Sequence, residues 1–302
     1  MMTKATLHDA VYGQAVGDAL GVPYEFRARG SFDCTGMTGF GTHDQPAGTW
    51  SDDTSMMLAI CDSIRMTGRI DCDDIRERFV RWYRHGDYTV GGTFDVGNTT
   101  RVALTQGHGL ADEWDNGNGS LMRTVPLAFT AAGDDEIREV SAITHAHPVS
   151  CDACVLFVHI ARLLADGATP SEAVHRAIDA DCATLHEDVI ASLAGEHASA
   201  LSPGASTVGR LLSLTSEDGI NSGGYVLDTL RAAVWCLLTT ETYADCVRKA
   251  VNLGADTDTT AAVAGALAGI AYGTDAIPAR WMETLRGKEI IETVLFTPQT
   301  TA

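Results

Sequence analysis

Two acidic clusters, more than two hundred residues apart, each run into a strongly apolar stretch. Ser51-Asp52-Asp53-Thr54 leads into Ser55 to Cys61, and Asp256-Thr257-Asp258-Thr259-Thr260 leads into Ala261 to Ala271. A helix start needs one capping side chain, and Asp there is also ordinary dipole chemistry, so either cluster alone reads equally as a cap. Together, four carboxylates with flanking hydroxyls exceed what two caps require. If the fold brings both helix starts into one place, their mutual repulsion demands a cation between them. Carboxylates and Ser or Thr hydroxyls offer only oxygen, the ligand type of magnesium or manganese. The expectation is a metal-dependent enzyme.

Other segments carry chemistry of their own. Gly17-Asp18-Ala19-Leu20-Gly21-Val22-Pro23-Tyr24-Glu25 ends an apolar helix, with Gly21 read as its C-cap and Pro23 barring continuation. The turn holds Glu25 on a rigid loop, and Asp18 is placed to support the site from behind. Asn116-Gly117-Asn118-Gly119-Ser120-Leu121-Met122-Arg123 reads as a glycine-rich loop opening a helix. Successive unhindered amides there suit a phosphate or diphosphate, and the missing P-loop Lys argues against hydrolysis of a terminal phosphate. His145 and His147 end a helix, where a satisfied structural His is the commoner outcome. Asp95 lies at a polar helix start, as cap or as acid/base. Tyr225, after Gly223-Gly224, is placed either as a core ring or against a base.

The elements that must position these residues are almost all helical by periodicity. The pattern predicts helices over Leu7–Leu20, Asp53–Met66, Cys72–Arg84, Val96–Gln106, Ser120–Ala132, Glu136–His145 and Ser150–Ala165. It continues through Ser171–Ile178, Glu187–Leu193, Tyr225–Leu238, Tyr243–Leu253, Thr259–Tyr272 and Ala279–Leu285. Only the neighbourhood of Phe40 and Ile290–Phe296 reads as extended. Gly13, Gly17 and Gly21 share one face of the first helix, and since Gly weakens a helix, three in line predict a close backbone approach. Gly30–Gly48 is a long mixed-polarity loop, and His197–Ser206 reads as a surface excursion. Neither resembles a linker, so the expectation is one all-α domain over residues 1–302.

Composition narrows the partners. A formal charge of -19, with lysine only at positions 4, 249 and 288, repels nucleic-acid backbones and anionic membranes. The N-terminus lacks a continuous apolar core of a leader, and Ala261–Tyr272 is too short to span a bilayer. Eight cysteines without a framework spacing, Cys151 and Cys154 among them, read as reduced core residues in a cytoplasmic protein.

The order of motifs, Gly-Asp-Ala-Leu-Gly-x-Pro-x-Glu, Ser-Asp-Asp-Thr, Asp-x-Gly, Gly-Asn-Gly-Ser-x-Met-Arg, Thr-His and Gly-x-Asp-x-Asp-Thr, closely resembles the ADP-ribosylglycohydrolase family from about His8 to Tyr272. The resemblance implies an orthogonal all-α bundle, a centre of two divalent cations (Mg2+ or Mn2+), and hydrolysis at C1″ of an ADP-ribosyl group. By position it implies Ser51, Asp52, Asp53, Asp256, Asp258 and Thr259 as metal ligands, and Glu25, Asp95 and Asp258 as catalytic groups. It implies that Asn116, Gly117, Asn118, Gly119, Ser120 and Met122, helped by His145, hold the diphosphate; Tyr225 completes the expected substrate site. Ala255 stands where the family often has a second Gly, and Asp115-Asn116 occupies positions that vary between substrate subgroups. The substrate expected is an ADP-ribosylated protein, with an arginine-type linkage favoured. The alternatives are a small conjugate such as O-acetyl-ADP-ribose, or a silent ADP-ribose-binding protein.

Overall fold

The computed structural model describes residues 5–194 and 212–298; the segment His197–Ser206 lies outside them. Among the described residues there are thirteen α-helices and no strand. The helix starts follow from local chemistry. Leu7–Gly21 (α1) begins on a capping box in which Thr6 and Asp9 satisfy each other's amides. Thr169 and Glu172 do the same for Pro170–Asp181 (here α7). Asp52–Thr67 (α2), Cys72–His85 (α3) and Asn98–Gln106 (α4) each stop at a glycine of positive φ. Asp134–Ala142 (α5), Pro148–Ala165 (α6) and Glu187–Ala194 (α8) complete the first half of the fold. Val226–Leu238 (α9), Tyr243–Asn252 (α10), Thr257–Tyr272 (α11), Ala279–Thr284 (α12) and Lys288–Val294 (α13) follow.

Two elements differ from expectation. Ser120–Ala132 is not an α-helix but two 3-10 turns, Leu121–Arg123 and Val125–Phe129. Pro126, which has no N–H to donate, sits at the start of the second and prevents a continuous α ladder. Ile290–Phe296 is mostly helical instead of extended: Ile291 and Val294, three apart, bury one face of α13. A short apolar run fits either period until it meets its neighbours.

The centre of the bundle is the antiparallel pair α1 and α11, whose residues are buried on nearly every face. Small residues let the two backbones touch. A Cβ on Gly13 would sit 2.3 Å from Gly265 O, one on Gly17 2.1 Å from Ala261 O, and one on Gly21 2.4 Å from Asp258 Cα. Gly21 is therefore not the C-cap of α1; its φ is -79°, and the chain passes directly into a 3-10 turn. The glycine is needed because Asp258 presses against it. The helix most apolar over a full bilayer-length window is α6, mean hydropathy 1.6, and 78% of that window is buried, as in a core helix. Cys151 and Cys154 lie on it, and all eight cysteines are free.

A histidine strut ties three helices on the far side. His159 of α6 shares its Nδ1 with Asp181 at 2.7 Å and its Nε2 with Asp134 at 2.9 Å. The bond to Asp181 raises the imidazole above its usual pKa, against burial. A folded-state pKa above the unfolded value of about 6.5 adds stability that is complete below that value and lost as pH rises through the folded one. The urea midpoint of His159→Gln is thus expected to fall furthest below that of the unaltered protein at mildly acid pH. An equal gap at alkaline pH would show that the strut carries no charge.

Candidate active site

The two acidic helix starts meet. Thr259 Oγ1 of α11 donates to Asp53 Oδ2 of α2 at 3.4 Å, across 206 residues of chain. Their carboxylates are not all consumed as caps: Asp258 Oδ1 accepts Thr259 N of its own helix at 2.9 Å, but Asp53 takes no helix-start amide. Asp18, buried on α1, receives Ser51 N at 2.9 Å, Thr54 N at 3.0 Å and Thr54 Oγ1 at 2.6 Å, and Ser51 Oγ receives Asp53 N. Asp18 thus caps α2 from a neighbouring helix. Burial, offset by those hydrogen bonds, holds its carboxyl up at about 6.

That arrangement leaves Asp53 Oδ1 buried without a partner, and Asp256 Oδ1 and Asp258 Oδ2 are in the same condition. Unpaired buried carboxylate oxygens are costly. Burial, with neighbouring carboxylates adding to it, drives Asp52, Asp53 and Asp258 well above the usual carboxylate range, and burial raises Asp256 and Asp95 as well. Asp52, Asp95 and Asp256 line a cavity of about 390 Å³, and no Lys or Arg is among its described lining residues. Three orphaned buried oxygens in an all-oxygen donor set, beside a cavity that no protein cation lines, fit a divalent metal. Ligand atoms of Glu25, His43, Asp95 and Asp258 all lie within 4.8 Å of one another on the same side.

Glu25 reaches this group from the turn after α1, 4% exposed. Burial raises its carboxyl to about 7, with His43 opposing and Asp95 and Asp256 adding to the rise. Asp95 does not cap α4, which starts three residues later; it holds φ +53°, a left-handed conformation costly for a non-glycine. Phe26 (φ +62°) and Ala255 (φ +59°) are left-handed too, and they pin each other's loops: Phe26 N donates to Ala255 O at 2.7 Å, Ala255 N to Arg27 O at 2.8 Å. Position 255 favours glycine for that reason. Ala255→Gly is expected to raise stability by up to about 1 kcal/mol with activity retained, whereas a β-branched Ala255→Val lowers both, as read by thermal unfolding and turnover.

The glycine-rich loop lies opposite. Its helix is only the three-residue turn Leu121–Arg123, so it does not offer the aligned amides of an α-helix N-terminus. Asn118 N donates to Gly224 O at 3.0 Å, and Val226 N to Asn116 O at 3.0 Å, binding the loop to the segment that carries Tyr225. The Asn118 amide orients Asp256 Oδ2 at 2.8 Å, a supporting bond that its spacing in the chain does not reveal. Asn116, Gly117, Asn118, Gly119 and Met122 line the two adjoining cavities with His145, while Ser120 is fully buried beneath and bonded by Ser141 Oγ. Arg123 supports the loop from below, donating to Gly119 O at 3.1 Å with its guanidinium 4.6 Å from the Phe79 ring centre. His145 packs its ring against Gly119, where a Cβ would come 2.9 Å from Cε1. Burial depresses it to about 3, so it stays a neutral imidazole. His147 instead caps α6 through Val149 N.

Beyond Gly117 and Gly224 a second cavity of about 810 Å³ opens, flanked by Tyr225, 42% exposed, and Trp114, 92% exposed. Sequence reasoning had not singled out Trp114 or His43; an exposed Trp in an acidic loop was the available signal for the first.

An ADP-ribosylglycohydrolase family profile matches residues 3–299. The chain belongs to the ADP-ribosylglycohydrolase family. It is 34% identical to the ADP-ribosylarginine hydrolase Tri1 of Serratia proteamaculans, over 93% of this chain and 75% of that one. It is 32% identical to the ADP-ribosyl-[dinitrogen reductase] glycohydrolase of Rhodospirillum rubrum, over 94% and 92%. Among solved structures it resembles an ADP-ribosylglycohydrolase-related protein complex with TM-score 0.77 and 32% identity, covering 95% and 94%. The all-α fold and the family expected from the motifs are both as found, and family and relatives alike mark an ADP-ribosyl hydrolase.

Proposed function

We propose that this protein, a single domain acting in the cytoplasm, hydrolyses the bond between C1″ of ADP-ribose and an arginine side chain. The meeting of Asp53 with Thr259, beside the acidic one of two cavities that share Gly117 and Gly224, carries that reading. Ser51, Asp52, Asp53, Asp256, Asp258 and Thr259 would hold two divalent cations, Mg2+ or Mn2+. When bound, these supply Lewis acidity and lower the pKa of water at the ribose end. The cleft is long enough in chemistry for the whole ligand: carboxylates at one end, the 116–122 loop with neutral His145 in the middle for the diphosphate, Tyr225 and Trp114 at the far end for a base.

The residues divide the work of one substitution. Asp258 or Asp256 accepts a proton from the attacking water as its oxygen bonds to C1″. The C1″–N bond breaks, and Glu25 or Asp95 delivers a proton to the departing guanidine nitrogen. A planar cation also suits this end: Phe26, 70% exposed, lines the cleft beside Glu25, and Phe94 stands beside Asp95 with its ring 5.1 Å from His43. The similarity to an ADP-ribosylarginine hydrolase supports the same linkage.

The test is release of ADP-ribose from arginine-linked, serine-linked and O-acetyl substrates, before and after chelation and with Mg2+ or Mn2+ restored. Arginine-linked substrate is expected to react fastest. Turnover of O-acetyl-ADP-ribose alone would indicate a free conjugate, and ADP-ribose binding without turnover of any substrate would indicate a silent binder. Undiminished activity in chelator would refute the metal role.

A further inference from the structure

The long loop from Gly30 to Gly48 contains one small element, the 3-10 turn Gly41–His43, and that turn grips Glu25 at two points. Thr42 Oγ1 donates to the Glu25 backbone carbonyl at 2.6 Å. His43 Nε2 meets Glu25 Oε2. The turn is itself tightly specified. Phe40 and Asp44, which bound it, are both left-handed at φ +67° and +52°. Phe40 N donates to Gln45 O, and Gln45 Nε2 donates to His43 O at 3.1 Å. Gly41 lies so close to the chain entering Glu25 that a Cβ there would be 2.0 Å from Pro23 O. Left-handed non-glycine residues carry strain that only a strongly determined surrounding sustains. Phe40 and Asp44 close the turn at its two ends, Asp44 N donating to Gly41 O, and Phe26, left-handed as well, follows Glu25 directly, so strained backbone fixes both the clamp and the residue it holds.

We propose that Gly41–His43 is a clamp that positions Glu25 against Asp95 and Asp258, with Thr42 and His43 as positioning residues for the reaction. This rests on the reading of Glu25 as a catalytic group. The clamp fixes the backbone through Thr42 and the side chain through His43, while the Phe26–Ala255 pairing holds the opposite side. Glu25 then has one available orientation before substrate arrives, and ordering it at each turnover costs nothing further.

A double-mutant cycle with Glu25 tests the proposal on ADP-ribosylarginine. His43→Ala is expected to lower kcat by up to about 10²-fold, the scale of a misplaced catalytic group, with KM nearly unchanged. His43→Gln, whose amide also reaches a carboxylate, is expected to recover much of that loss. In a Glu25→Gln background, His43→Ala should cost almost nothing more, because there is no carboxylate left to aim; additive losses would overturn the clamp. Thr42→Val supplies a second variant, with a smaller kcat loss. A readout free of turnover is amide exchange of residues 22–27, expected to quicken in both His43→Ala and Thr42→Val while the α1–α11 pair stays protected. Unchanged exchange in both variants would overturn the proposal even if the unaltered protein hydrolysed no ADP-ribosyl substrate, an outcome that would refute the proposed function separately.

Discussion

Asp258→Asn and, independently, Asp53→Asn are expected to abolish turnover and divalent-metal binding together. Each replacement removes an oxygen charge from a group in which Asp53 Oδ1 and Asp258 Oδ2 have no protein partner. An amide of the same shape keeps a carbonyl oxygen that can still accept from Thr259 Oγ1 and Ser51 Oγ at position 53, so the fold should hold. The variants should even be easier to fold without metal, because burial and neighbouring carboxylates penalise every charge in the cluster. Losing a group that orients a metal ligand typically costs about 10–100-fold in metal affinity or activity, so losing a ligand should exceed that range. Calorimetric titration of Mn2+ and thermal unfolding without metal separate the two effects. A variant that keeps metal affinity while losing activity would make that Asp an acid/base group alone, and one that keeps both would remove it from the site.

Gly17→Ala is expected to produce a large loss of stability from a single added methyl group. The new Cβ would stand 2.1 Å from Ala261 O and 2.8 Å from Ala261 C, both backbone, so neither can swing aside. Relief requires α1 and α11 to separate along a seam where Gly13, Gly21, Gly265 and Gly269 are equally close. Overpacking commonly costs about 1–3 kcal/mol, and contact with the rigid backbone of α11 places this case at or above the upper end. A fall in Tm of roughly 6 °C or more follows for a chain of this size. Activity should fall with it, since the same seam sets Asp258 against Gly21 and so brings α11 to Asp53. Gly133→Ala, at a position with nothing within 4 Å of the new carbon, is the control and should change little. Equal Tm values for the two variants would mean that the two helices can part along the seam at no cost.

The contrast between these two experiments marks what was legible in the chain. The Asp-rich helix starts were readable because a surplus of carboxylates over capping needs is visible in the residue types alone. The glycines on one face of α1 were readable as a close approach, since their propensity cost demands a return. Their partner was not, and Gly21 was mistaken for a C-cap because its real neighbour, Asp258, is 237 positions away. Ser120–Ala132 was read as a helix from its apolar spacing, although Pro126 already forbade it. Asn118 was read as a phosphate contact by its glycine neighbours, and its bond to Asp256 belongs to no local pattern.

Residue chemistry by itself determined that this chain is helical, acidic, supplied with more carboxylates at two helix starts than caps require, and built from the motifs of one family. Local propensity and charge surplus need no knowledge of what packs where. Tertiary structure alone decided that Asp18 caps α2 while Asp53 Oδ1 stays without a partner, that Trp114 and Tyr225 line one open cleft, and that His43 grips Glu25. Each of those facts depends on which surfaces meet, and a backbone contact made possible by missing Cβ atoms is the physical event that decides it.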